Sequence, residues 1–187
     1  MENPLAEQRQ LLRLVVDKLT ALEIVYMVSG SLASSLHGEP RMTRDIDIVV
    51  DGSADQLRSF AGSFDPATHY VTDPIVALSH RSMFTIVEIP TGWKVDLMIR
   101  KDRVFSRTEL ERRMWATIGD VELMVVSPED SILSKLEWMK LSESDRQLAD
   151  VSGIIAAYHD NLDWDYIQRW AAELGLEDEL ARTRGDR

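Results

Sequence analysis

A chain of 187 residues, 44% hydrophobic and 28% charged, has room for one domain with an extension, or for two small domains, around a real core. Its formal net charge of −11 argues against a general nucleic-acid coat protein, and the lack of cysteine excludes disulfides and any thiolate nucleophile or metal site. No run approaches 18 uninterrupted apolar residues, and the opening MENPLAEQRQLL has neither a basic nor an apolar leader segment; no membrane span and no signal peptide are expected, and a cytoplasmic location is.

Apolar residues recur at helical spacing over residues 4–23, through Leu11, Leu12, Val15, Val16 and Leu19, which predicts an amphipathic helix. Ile24 to Val28 is β-branched and aromatic, a short buried strand that stops at Gly30. Ser31 to Leu36 predicts a short helix closed by Gly38 and Pro40. Asp45 to Val50 is a second strand. Ser53 and Gln56 form a capping-box pattern for a helix to about Phe64. Residues 65–73 read as loop, and Asp73-Pro74 starts a short helix with Asp as cap.

Phe84 to Ile89 and Trp93 to Ile99 predict a hairpin joined by Pro90-Thr91-Gly92. Residues 107–115 read as helix, and Val121 to Val126 as strand after a Gly119-Asp120 turn. Ser127-Pro128-Glu129 is a strong helix start. Helices follow at about 128–140, 143–158 and 163–174, then a charged tail. The expected fold is α+β or α/β: a small mixed sheet flanked by helices, then a C-terminal helical segment. The change of character near residue 127 divides a core, 1–126, from that segment, 127–187.

The chemistry centres on one stretch. Thirteen residues separate Ser31 from Asp45, and Asp45-Ile46-Asp47 opens a strand. Strand side chains alternate, so Asp45 and Asp47 point the same way, roughly 6–7 Å apart. Their repulsion at an effective dielectric near 20 is about 2–3 kcal/mol, and a divalent cation between them would offset it. On the later strand Val95, Leu97 and Ile99 share one face, and Asp96 falls on the other. If the two strands are neighbours, three carboxylates can face one point. With no nearby His or Cys, such a set favours Mg²⁺ or Mn²⁺ over zinc. Two such metals can hold the attacking and leaving oxygens of a phosphoryl displacement. Gly30 lets backbone approach closely, and the helix after it offers free N–H groups to phosphate oxygens.

Gly30-Ser31, a gap of about a dozen residues, Asp45-x-Asp47 and a later strand Asp96 together resemble the DNA-polymerase-β-type nucleotidyltransferase superfamily. The fuller run from Leu36 to Asp47, and Ser127-Pro-Glu-Asp-x4-Lys135 followed by Arg146-x3-Asp150, resemble its small bacterial branch, which includes AbiEii-type toxin–antitoxin nucleotidyltransferases. The resemblance spans roughly residues 20–155. It implies transfer of a nucleoside monophosphate from an NTP to a hydroxyl on tRNA, a protein or a small molecule, with a toxin–antitoxin partner protein as a further expectation; the alternative is a nucleotide-binding, non-catalytic module that acts through a partner protein. It also implies that Asp45, Asp47 and Asp96 bind metal and that Asp96 activates the attacking hydroxyl. Gly30 and Ser31 would hold the triphosphate, Lys135 would neutralise phosphate charge, and Asp150 would orient Lys135 or substrate. Arg41, Thr43 and Arg44 would reach phosphate.

The competing, bland reading has Arg146 and Asp150 as an i,i+4 helix-surface pair, and Lys135 as a surface lysine. His37 reads as a packing or capping residue near the Gly38 turn. Trp138, Trp164 and Trp170 read as packing residues rather than a base-stacking platform. Any tRNA contact would rest on a local patch drawn from Arg41, Arg44, Arg100, Lys101 and Arg103.

Overall fold

β-Branched runs punctuated by glycine, proline and capping residues build a sheet of seven strands among the described residues of the computed structural model, which are 4–38, 43, 45–142 and 145–184. The strands are β1 (Val25–Ser29), β2 (Asp45–Asp51), β3 (His69–Val71), β4 (Met83–Glu88), β5 (Lys94–Ile99), β6 (Met114–Ile118) and β7 (Val121–Val125). Their spatial order is β3-β4-β5-β2-β1-β7-β6. The β2–β5 and β1–β7 pairings are parallel and the other four antiparallel, so the sheet is mixed.

The helices are α1 (Pro4–Ala21), α2 (Gly30–His37), α3 (Ala54–Gly62), α4 (Pro74–His80), α5 (Val104–Glu111), α6 (Pro128–Ser142), α7 (Asp145–Tyr158), α8 (Trp164–Leu174) and α9 (Glu177–Arg184). The local signals explain their starts. Ser53 and Gln56 exchange both bonds of a capping box at α3. The Asp73 carboxylate caps α4, with Pro74 at its first position. The Ser127 hydroxyl accepts from the Asp130 amide at 3.1 Å to start α6.

Three local expectations are corrected. Residues 65–73 are not all loop: His69–Val71 pairs with β4, a strand too short to show a period and formed by its partner's ladder. The helix expected over 107–115 ends at Glu111, because Met114–Ile118 pairs with β7 as a hairpin around Gly119, whose φ is +65°. The charged tail contains α9, which anchors itself by burying Leu180.

One sheet face is aliphatic and closed. Ile46, Ile48 and Val50 of β2, Val95 and Leu97 of β5, Phe84 and Ile86 of β4 and Val28 of β1 join one core with Leu11, Leu12, Val15 and Leu19 of α1 and Leu57 and Phe60 of α3. A second core lies among α6, α7, α8 and α9, with Ile132, Leu136, Val151, Ile154, Ile167 and Trp170. Phe105, from α5, belongs to this second core. α2 packs on β1 and β2 and also on α6 and α7, which ties the helical part to the sheet. Among the described residues no helix is long and apolar enough to cross a membrane.

Candidate active site

The register of three strand pairings sets a row of polar side chains across the open face. Ser29 pairs with Asp47, Asp47 with Asp96, and Asp96 with Thr85. One step along the strands, two residues back, Asp45 pairs with Lys94. Period-two alternation then puts Asp45, Asp47, Lys94 and Asp96 on one face, opposite the closed aliphatic one. The same aliphatic residues that lock the register therefore deliver the carboxylates side by side.

The acids differ in their surroundings. The Asp96 carboxylate is largely buried, accepts from the Thr85 hydroxyl at 2.6 Å and from the Lys94 ammonium at 2.9 Å. Asp45 is half exposed and lies 3.3 Å from the same ammonium. Asp47 has its pKa raised from the ordinary carboxylate value by burial, then by the neighbouring charges of Asp96 and Asp45; Lys135 and Lys94 offset part of the rise. The Lys94 ammonium is held charged, its pKa raised by the hydrogen bond to Asp96. The cluster thus carries an excess of negative charge, answered by Lys94 at Asp45 and Asp96 and by Lys135 near Asp47.

Gly30 opens α2 with φ of +63°, and a Cβ there would fall inside the Asp47 carboxylate. Any other residue would displace that acid as well as strain the backbone. Ser29, at the N-cap, makes no side-chain cap bond, and α2 begins beside Asp47. Lys135 is 6% exposed, not a surface lysine, and its ammonium lies 2.7 Å from the Asp150 carboxylate, which also accepts from the Ser34 hydroxyl at 3.2 Å. Asp150 is therefore turned inward to Lys135, and the expectation of a helix-surface pair with Arg146 is corrected. α2, α6 and α7 each contribute one member of this buried triad.

A cleft of about 310 Å³ is lined by Ser29, Gly30, Ser31 and Asp47 from the sheet side and by Lys135 of α6. Thr43 is buried, with its hydroxyl at the Asp45 backbone, and does not line this cleft. Arg41 and Arg44 lie outside the described residues. Arg100 and Arg103, expected in a basic patch, line the cleft but are committed to Asp51 at 2.7 Å and to Glu137 at 2.5 and 2.6 Å. His37 packs as expected: it is buried, its ring nitrogens bonded to the Val126 carbonyl and the Tyr158 hydroxyl, and burial lowers its pKa.

Sequence reasoning missed Lys94, Thr85 and Glu109. Lys94 had a signal, since it is two residues before Asp96 and must share its face. Thr85 follows only from the hairpin register. Glu109 on α5 lines the cleft at 7% exposure, and nothing in its local sequence separates it from a solvated helix acid. Trp138 is corrected in the other direction: it is 56% exposed on the cleft rim, while Trp170 is core.

The donor set is all oxygen, the chemistry of a hard divalent cation. Among the described residues, no three His, Cys, Asp or Glu side chains are gathered closely enough to hold a metal ion together. Lys94 bonds two of the three aspartates, and it is 45% exposed at its side chain, free on its outer side to swing away.

Comparison with solved structures decides the architecture. An antigenic nucleotidyltransferase-like protein from Paracoccidioides brasiliensis matches with a TM-score of 0.57 at 18% identity, over 95% of this chain and 92% of that one. The antibiotic-resistance factor ANT(2'')-Ia matches at 0.60 and 13% identity, over 97% and 99%. This chain has the nucleotidyltransferase fold. A lincosamide antibiotic adenylyltransferase, LnuA, matches at 0.52 and 14% identity, over 76% of this chain and 95% of that one. No protein-family model matches the sequence, and no curated protein matches it.

Proposed function

We propose that this chain is a nucleotidyltransferase that moves a nucleoside monophosphate from an NTP to a hydroxyl acceptor and releases pyrophosphate. The observation that carries the reading is the row Ser29-Asp47-Asp96, set abreast by strand register, with Gly30 opening a helix against Asp47. The nucleotidyltransferase fold supports it, as do neighbours that include an antibiotic adenylyltransferase.

In this reading the acceptor oxygen attacks the α-phosphorus, and the bond from that phosphorus to the oxygen bridging to the β-phosphate breaks. Pyrophosphate leaves with that electron pair. Asp96 takes the hydroxyl proton, and Thr85 and the β5 backbone fix its carboxylate for the task. The amides of Gly30 and Ser31 receive phosphate oxygens at the positive end of α2. Lys135, held by Asp150, places a positive charge beside Asp47 and offsets charge on the phosphates. Asp45, Asp47 and Asp96 would hold Mg²⁺ or Mn²⁺, which when bound supplies Lewis-acid stabilisation of phosphate charge. Lys94, bonded to Asp45 and Asp96, would have to give up those bonds for the two acids to serve a cation. Holding reactants in line and neutralising developing charge supply most of the acceleration.

The test is transfer of label from α-labelled NTPs with Mg²⁺ into small-molecule, RNA and protein pools, comparing wild type with Asp47→Ala. Wild type should label one pool and release pyrophosphate, and the variant should do neither while keeping its circular dichroism. Wild type that binds ATP yet releases no pyrophosphate with any NTP or pool would overturn the reading.

A further inference from the structure

The sheet has two outer strands, and they differ in how they are guarded. At one end β3 is only three residues long. At the other β6 runs for five, Met114-Trp115-Ala116-Thr117-Ile118, with no charge and no proline. Short length, charge and proline are the usual defences of a sheet edge against a further strand, and β6 has none of them. Trp115 is 70% exposed, and a groove of about 340 Å³ is lined by Trp115, Ala116, Thr117 and Glu122. Nucleotidyl transfer uses no residue in this region.

The hairpin decides which backbone groups β6 has to offer. Gly119 and Asp120 form a two-residue turn, so Ile118 and Val121 on either side of it are a hydrogen-bonded pair. Bonding alternates along an antiparallel ladder. Met114, Ala116 and Ile118 therefore turn their N–H and C=O groups to β7, and Trp115 and Thr117 turn theirs outward. A second β6, antiparallel, with Trp115 set against the partner's Thr117, answers all of these outward groups and overlaps the whole strand. Trp115 then lies beside a β-branched side chain on one face, a favourable cross-strand pair.

The flanking charges select the same arrangement. Arg113 precedes the strand; its guanidinium bonds the Leu110 carbonyl and, among the described residues, no carboxylate. Asp120 follows it, and its side chain is largely exposed although it pairs with Arg13. Antiparallel pairing carries each Arg113 to the partner's Gly119-Asp120 turn, twice over by symmetry, whereas parallel pairing would set arginine beside arginine. We propose that β6 is a self-association edge, through which two copies of this chain join their sheets into one across a two-fold axis. The contact closes on itself, so it makes dimers and not fibres. It is small, so the dimer is weak, with a dissociation constant in the micromolar range. The proposal rests on no part of the nucleotidyl-transfer reading.

Sedimentation velocity on the full chain tests this, from low micromolar to several hundred micromolar, at physiological salt where repulsion between two chains of charge −11 is screened. Wild type should dimerise reversibly. Thr117→Pro and Trp115→Lys should stay monomeric throughout and keep the wild-type circular dichroism, because both changes fall on outward-facing positions of an edge strand. Arg113→Glu should weaken the dimer several-fold, and adding Asp120→Lys should recover part of the loss. The register puts Ala116 opposite itself at a Cα separation of about 4.5 Å, within reach of a disulfide. The chain has no cysteine of its own, so Ala116→Cys should cross-link under mild oxidation at least tenfold faster than Tyr70→Cys on β3. A wild type that is monomeric at every concentration, a dimer as tight in both Thr117→Pro and Trp115→Lys, or equal cross-linking at the two cysteines overturns the proposal. A monomeric wild type that binds an unrelated extended peptide at β6 also overturns it and gives the edge to another protein.

Discussion

The two faces of strands β2 and β5 share one backbone and obey opposite rules. Toward the core, Ile46, Ile48, Val50, Val95 and Leu97 are each fully buried, and every one has an apolar neighbour. Toward the cleft, Asp45, Asp47, Lys94 and Asp96 hold three negative charges against one positive, in partial burial. The closed face stabilises the fold and fixes the register. The open face carries charge repulsion that lowers stability, the pattern expected of a functional site.

The widest separation between the faces should come from Asp47→Asn. Label transfer should fall roughly a hundredfold to a thousandfold, the cost typical of losing a preorganised electrostatic group. Stability should stay level or rise at pH 7. The sign follows from the raised pKa: the folded state resists ionising Asp47, so that charge destabilises as pH climbs above the unfolded carboxylate value. A fall in melting temperature as large as that from a core truncation would break the contrast.

Leu97→Ala probes the opposite face of the same strand. It should lose about 2–5 kcal/mol in denaturant unfolding by leaving a cavity. The activity of the fraction still folded should change far less than in Asp47→Asn. Asp150→Asn should touch both stability and substrate binding. It removes the carboxylate bonded to the buried Lys135 ammonium, and breaking a buried pair typically costs about 3–5 kcal/mol; it should also weaken ATP binding. Asp150→Asn with wild-type unfolding would show that the pair contributes nothing to the fold.

Lys94→Met removes the cation bonded to Asp45 and Asp96. Apparent affinity for Mg²⁺ should tighten a few-fold, read as a lower Mg²⁺ concentration at half-maximal transfer. Weaker Mg²⁺ use would mean that Lys94 helps to hold substrate instead. The smallest effect is that of pH on His37. Burial lowers its pKa, so its share of stability is complete above the unfolded value of 6.5 and is lost as pH falls below it. Melting of wild type at pH 5.5 against 7.5 should drop more than that of His37→Gln. Glu109 works against this in an overlapping window: its pKa is raised by burial to about 7, so protonation restores stability as pH falls from 7 towards 4.5. Glu109→Gln should therefore steepen the acid loss.

The motif stretch was legible because local rules govern it. Alternation alone gives the shared face of Asp45 and Asp47, and the capping signals of Ser53, Asp73 and Ser127 lie in consecutive residues. Whether Asp96 stands beside Asp47 was not legible, since it depends on β5 pairing with β2 across some fifty residues of chain. Lys135 and Asp150 look like any helix-surface charges until α6, α7 and α2 pack together. Glu109 was invisible for the same reason. β6 was misread because Met114 and Trp115 continue the apolar spacing of the helix before them, and only its pairing with β7 makes them strand.

Phe105 has a consequence for how the chain can be divided. It comes from the segment before residue 127, yet it packs with Trp170 at a ring separation of 5.1 Å. A chain cut after Val126 would leave that ring in water, and Arg103 would lose Glu137 at the same cut. Separating the proposed core from the helical segment therefore takes apart α5's own seat, and with it one wall of the cleft. The two parts should melt in a single transition, and neither should survive alone as a soluble fragment.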